Sequence, residues 1–142
     1  MKNKSFLAVV CMIFLAAMLP AHLNAAESGK ASNKLAVLWT SGDPDVANRV
    51  ALMYTHYAKK VGWFDEVTLI VWGPSQRLLL DDKNLQVKVK AMQDDGVVVE
   101  ACIACAMGYG IVEDLKKLDI TVRGMGEPLS NYLKSDWKVL TF

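Results

Sequence analysis

Gly96-Val97-Val98-Val99-Glu100-Ala101-Cys102-Ile103-Ala104-Cys105-Ala106 decides the fold of this 142-residue chain. Consecutive valines after a glycine read as a strand from Val97 to Ala101. Its continuous apolar character marks burial on both faces, the habit of parallel sheets. Ile103 to Leu118 then carries helical spacing, with Gly108 and Gly110 breaking the run into two pieces. A strand that hands the chain directly to a helix puts Cys102 at the junction and Cys105 in the first helical turn. Unpaired backbone N–H groups and the positive end of the helix dipole favour a thiolate there. On a helical wheel Cys105 lies between Val112 and Tyr109, at the margin of the apolar arc Ala104, Met107, Ile111, Leu115 and Leu118. Cys105 is therefore expected to be partly buried, and Cys102 to be the solvent-reachable nucleophile. Two thiols at redox spacing on a helix start point to sulfur chemistry, against the plainer role of free cysteine as a small core residue.

Outward from this segment, strand and helix patterns alternate. Lys34 to Thr40 reads as a strand, Ser41-Gly42-Asp43-Pro44 supplies cap and first-turn residues, and Asp45 to Val61 is helical. Val46, Val50, Met53, Tyr54, Tyr57 and Val61 are expected to face the sheet, with Arg49, Thr55, His56, Lys59 and Lys60 facing water. Glu66 to Trp72 is a second strand, Gly73-Pro74-Ser75 opens a short helix to about Leu80, and Leu85 to Gln93 forms another. Asp119 to Met125 is a fourth strand, Glu127 to Lys134 a helix, and Trp137 to Phe142 a fifth strand. The alternation predicts a single-domain three-layer α/β/α sandwich around a mostly parallel five-stranded sheet. In such folds the site lies outside the carboxyl ends of the strands. Ser41, Trp72, Gly73 and Gly126 are expected to line a pocket at that edge around the two cysteines. Asp43, Tyr109 and Glu127 are the candidate assisting residues, the carboxylates competing with ordinary roles as a helix cap and a first-turn acid.

The N-terminus carries Lys2 and Lys4, an apolar run from Phe6 to Leu19, and small residues at Ala25-Ala26. That is the layout of a secretory signal peptide over 1–26, followed by a polar flexible leader over 27–33 and the α/β domain over 34–142. The apolar run is 14 residues long, short of the roughly 20 of a membrane span. Cys11 lies too early, without the small residues a lipoprotein cleavage site needs. A periplasmic or secreted protein is expected, free of the membrane once the signal is removed. Losing Lys2 and Lys4 leaves 14 basic against 15 acidic residues, and no basic patch suggests nucleic acid. A metal site is not expected, since two thiolates need two further ligands and the mature chain offers only His56. No cofactor motif is present: Thr40-Ser41-Gly42-Asp43 is a poor phosphate cradle. A thioredoxin fold is disfavoured because the pair follows the third strand and lacks a proline or glycine between the cysteines. Trp63, Phe64 and Trp72 add apolar area near loops, where it would suit a subunit interface.

Four segments, Lys34-Leu-Ala-Val-Leu-Trp39, the cysteine segment 96–106, Val122-Arg-Gly-Met-Gly126 and Trp137-Lys-Val-Leu-Thr-Phe142, resemble the DsrE/DsrF-like family of small sulfur-handling proteins. The resemblance spans about residues 34 to 142 and implies a three-layer domain assembled into homo-oligomers, trimers or hexamers. In the sulfur-relay members a cysteine after this strand carries a persulfide, and Cys102 matches it. Relay members are typically cytosolic and work with dedicated donor and acceptor proteins, whereas this chain carries an export signal and a second thiol, Cys105. The resulting expectation is an exported persulfide carrier or sulfur-transfer protein, with Cys102 accepting sulfane sulfur and Cys105 tuning its redox state. The alternatives are a thiol-disulfide redox protein using the same pair, and a non-enzymatic oligomeric binding module whose cysteines only pack.

Overall fold

The computed structural model describes residues 33–142; the expected signal peptide and residues 27–32 of the leader lie outside the described residues. Five strands, β1 (Lys34–Trp39), β2 (Glu66–Val71), β3 (Val98–Cys102), β4 (Thr121–Arg123) and β5 (Lys138–Thr141), form one sheet in the order β4-β3-β2-β1-β5. Every neighbouring pair is parallel. The expected three-layer α/β/α architecture is thus present, with an entirely parallel sheet.

Helix α1 runs as one rod through Pro44–Val46, a π-helical segment Ala47–Ala51 and Leu52–Lys60. The remaining helices are α2 (Pro74–Asp81), α3 (Lys83–Asp94), α4 (Ile103–Tyr109), α5 (Val112–Lys116) and α6 (Gly126–Lys134). Asp43 caps α1, its carboxylate accepting from the amides of Asp45 at 2.7 Å and Val46 at 3.3 Å. Asp82 caps α3 in the same way. Such a cap is worth about 1 kcal/mol over alanine. Gly110, at φ 71°, closes α4 in the left-handed conformation that a side chain would resist. The break between α4 and α5 therefore falls at Gly110, while Gly108 stays inside α4.

The strand order explains the layers. From β1 to β4 the chain steps steadily in one direction, so right-handed crossovers set α1 to α5 on one face. The return from β4 to β5 crosses the whole sheet and sets α6 on the other. Packing follows this division. The larger core joins Leu35, Val37, Trp39, Val67, Leu69, Val71, Val99 and Ala101 to Leu52, Leu79, Leu85, Val89, Met92, Ala106 and Leu115. Each fully buried aliphatic side chain there contributes roughly 1.5–3 kcal/mol. The smaller core holds Ala36, Ile70, Cys102 and Met125, with Leu129 and Tyr132 of α6 packed against it. Coverage on that side is thin, and Val98, expected to be buried, is 53% exposed.

The face of α1 also differs from expectation. Ala47, Ala51, Leu52, Thr55 and Ala58 face the sheet, whereas Val50, Met53, Tyr57 and Val61 are exposed. Alanines let the helix backbone approach the sheet closely, and the buried Thr55 hydroxyl satisfies itself by donating to the Ala51 carbonyl at 2.6 Å. His56, expected at the surface, is only partly exposed and lies 2.6 Å from Asp95.

Candidate functional site

In an open α/β sheet the crevice opens where neighbouring strands send their connections to opposite faces. Here that switch point lies between β3, which leads into α4, and β4, which leads into α6. Cys102 is the last residue of β3 and the N-cap of α4; Met125 is the N-cap of α6. The fold therefore delivers the Cys-x-x-Cys segment to the switch-point edge of the sheet.

The two thiols differ in a way that the sequence did not suggest. Cys102 is 4% exposed, sealed among Ala36, Ile70 and Met125, so its expected solvent access is not met. The return of the chain after β4 brings Met125 into the same buried cluster. Cys105 is only half-buried. Both sulfurs are free thiols, and Cys102 is a hydrogen-bond neighbour of Cys105. Burial pushes the Cys105 thiol above the ordinary cysteine value, and the Cys102 sulfur adds to that rise; the Gly73 amide and the Trp72 side chain pull the other way. A rise of this kind means that burial and a like charge nearby oppose the thiolate, while N–H donors stabilise it.

Two buried polar side chains that sequence reasoning missed hold this edge together. Ser75 accepts from the Trp72 amide at 3.0 Å and donates to the Trp39 carbonyl at 2.7 Å, tying the ends of β1 and β2. Gln76, fully buried, donates through Nε2 to the carbonyls of Val71 at 3.1 Å and Cys102 at 2.9 Å. Its amide thus fixes the end of β3 against the end of β2 and sets the backbone from which Cys102 projects. Both residues follow Gly73-Pro74 in the first turn of α2, the one local signal that could have flagged them.

Below Cys102 on the same face of β3 lies Glu100, two residues back in the strand's alternation. Arg123, the ladder partner of Cys102, reaches back to pair with Glu100 at 2.6 Å. The Tyr132 hydroxyl donates to the other Glu100 oxygen at 3.4 Å. Burial first, then the Glu100 charge, raises the Tyr132 phenol above its ordinary value. This charged cluster was not foreseen either; a lone Glu in a valine-rich strand was the only sign of it.

The other expected site residues divide. Trp72 and Gly73 adjoin Cys105, and Gly126 opens α6 beside Met125. Ser41 lies at the loop after β1, where its hydroxyl accepts from the Asp43 amide at 3.1 Å. Asp43 spends its carboxylate on the α1 cap. Tyr109 ends α4 with the Arg77 guanidinium 4.8 Å from its ring centre. Glu127 sits in the first turn of α6, in a shallow pocket of about 300 Å³ with Arg123, Pro128, Asn131 and Tyr132. Among the described residues, no three His, Cys, Asp or Glu side chains are grouped as metal ligands.

A parallel α/β domain with a dithiol at its switch point defines the class of protein. The family model described as DsrE/DsrF-like matches residues 33–142, and the chain belongs to that family. It is also similar to a conserved protein of unknown function from Bacteroides thetaiotaomicron, at 35% identity and a TM-score of 0.74, over 78% of this chain and 95% of that one. The YchN protein from E. coli shares the fold at 18% identity and a TM-score of 0.52, over 77% of this chain and 99% of that one. No curated protein matches the sequence. Membership places the chain, at the level of the family, among sulfur-handling proteins.

Proposed function

We propose that this protein carries or transfers sulfane sulfur on the Cys102/Cys105 pair. The observation that carries this reading is the pair itself: two free thiols packed in one small cluster at the switch point of the sheet, one of them the helix N-cap. A cysteine there has helix amides ahead of it, and thiol exchange between neighbouring sulfurs forms and breaks disulfides and persulfides. In this reading the N-terminal segment directs export, so the protein works in the periplasm or outside the cell, as a trimer or hexamer and with a protein donor or acceptor of sulfur. Exposed Trp63 and the apolar outer face of α1 support assembly. Light scattering of the purified protein decides the assembly state, a strict monomer ending that part of the proposal.

The test of the sulfur reading is uptake of cyanide-labile sulfur after polysulfide treatment, located by mass spectrometry. Wild type gains 32 Da adducts, the mass of one added sulfur, on the cysteine peptide, and the variant lacking both thiols gains none. Absence of any cysteine-dependent adduct on wild type overturns it. The contact between the thiols also favours a second reading, dithiol-disulfide exchange without sulfur cargo. A pair that resists oxidation in air and by glutathione disulfide removes that reading.

A further inference from the structure

Of the two thiols, the one matched by family resemblance is the less accessible. Cys102 is 4% exposed beneath Ala36, Ile70 and Met125, while Cys105 is half-buried on the outer side of the same turn. Access decides which of two adjacent thiols a solvent-borne sulfur donor meets first. Cys105 is also the sulfur beside the turn after β2, where the Gly73 amide and the Trp72 side chain partly offset the rise that burial and Cys102 impose on its thiol. The segment from Ile103 to Val112 carries no charged side chain of its own, and the Arg77 guanidinium lies 4.8 Å from the Tyr109 ring centre. A small persulfide can therefore approach without displacing an ion pair.

Resting on the sulfur-handling reading above, we propose that Cys105 is the port at which sulfane sulfur reaches the protein, and Cys102 the sheltered position to which it is passed. In the first step the Cys105 thiol gives its proton to water and its sulfur attacks the outer sulfur of a persulfide donor, R–S–SH. The donor's S–S bond breaks, R–S⁻ leaves and is protonated by water, and Cys105–S–SH forms. In the second step Cys102 attacks the outer sulfur of that persulfide and its proton passes to the departing Cys105 sulfur. The S–S bond to Cys105 breaks, Cys102–S–SH forms, and Cys105 is left as the thiol beside Gly73 and Trp72. The transferred sulfur keeps its oxidation level throughout, so neither step consumes an oxidant or a reductant. Burial under Met125 then shields the cargo from thiols in solution.

The experiment loads wild type, Cys105→Ser, Cys102→Ser and the double variant Cys105→Ser/Met125→Ala with glutathione persulfide. Sulfane sulfur is counted by cyanolysis and placed by peptide mass spectrometry, and circular dichroism verifies the fold of each variant. Wild type is expected to end with its sulfur on Cys102. Cys102→Ser loads Cys105 no more slowly than wild type but loses the sulfur to dithiothreitol at least tenfold faster. Cys105→Ser loads Cys102 at least tenfold more slowly, and Met125→Ala restores loading in that background by opening the lid. Cys105→Ser loading at the wild-type rate overturns the port, and a double variant that stays slow counts equally against it. Wild type that takes up no cyanide-labile sulfur overturns the sulfur-handling reading itself, which separates the two failures.

Discussion

Arg123 Nη2 lies 2.6 Å from Glu100 Oε1, although Arg123 is the ladder partner of Cys102 and Glu100 that of Thr121. The guanidinium therefore slants back by one pair of same-face residues to reach a carboxylate whose side chain is 7% exposed. Removing Arg123 strands that carboxylate in the smaller core. Arg123→Ala is expected to cost about 3 kcal/mol, the low end for a broken buried pair, because the 45% exposed Arg123 side chain is partly screened by water. Replacing both partners, by Glu100→Gln with Arg123→Met, should recover most of that loss. Urea denaturation measures both, and a single-variant loss under about 1 kcal/mol would show that the pair is dispensable.

The Cys105 thiol offers a second measurement. Burial and the neighbouring Cys102 sulfur raise it, while Gly73 and Trp72 lower it. The pH profile of Cys105 alkylation should therefore move toward neutral pH in Cys102→Ala, which deletes the like charge. It should move to higher pH in Trp72→Phe, which deletes a donor. Iodoacetamide rates across the alkaline range report both shifts. Identical profiles in all three proteins would mean that neither neighbour acts on the sulfur.

Met125 shares a small buried cluster with Cys102. Met125→Ala should expose that thiol, raising its reaction rate with a disulfide reagent at least tenfold. It should also destabilise the protein by about 2–3 kcal/mol through the cavity left in the smaller core. Stopped-flow thiol titration against urea stability separates lid opening from general loosening. Destabilisation without faster titration would place the seal elsewhere.

Acid stability should depend on Asp95. The His56 hydrogen bond, aided by Lys60, holds the Asp95 carboxyl below its ordinary value. A group depressed in the folded state contributes stability above its unfolded pKa and loses it as pH falls through the lower folded value. The contribution is thus complete above roughly pH 5, starts to fall near the unfolded value of about 4, and is gone only below the still lower folded value. Asp95→Asn should flatten the thermal-midpoint curve in that acid window, and His56→Gln should act in the same direction. An acid limb in Asp95→Asn that overlays wild type would rule out the linkage.

How much of this was legible beforehand depends on range. Val97 to Ala101 and Glu66 to Trp72 announce their strands by β-branched content, and the structure places β3 and β2 there within a residue or two. The face of α1 was misread because bulk was equated with burial, whereas the sheet accepts Ala47, Ala51 and Ala58 and turns Met53 and Tyr57 outward. The cysteines and the partial burial of Cys105 are legible in the sequence, but the deep burial of Cys102 and the neighbours that enclose it are not. Those depend on β4 lying beside β3 and on Met125 arriving from 23 residues away in sequence, which is a property of strand order. Gln76 and Arg123 were missed for the same reason, since their partners come from neighbouring strand ends.

The unequal layers have one more consequence. Among the described residues five helices share the larger core, while α6 contains no fully buried residue and is the helix that covers the opposite face. Lifting α6 would sacrifice little of the apolar burial that keeps the domain folded, so its amides should exchange with solvent long before those of β1 and β2. Each such excursion should uncover the thiol at the end of β3, so that transient loosening of one short helix sets the pace at which any reagent meets Cys102.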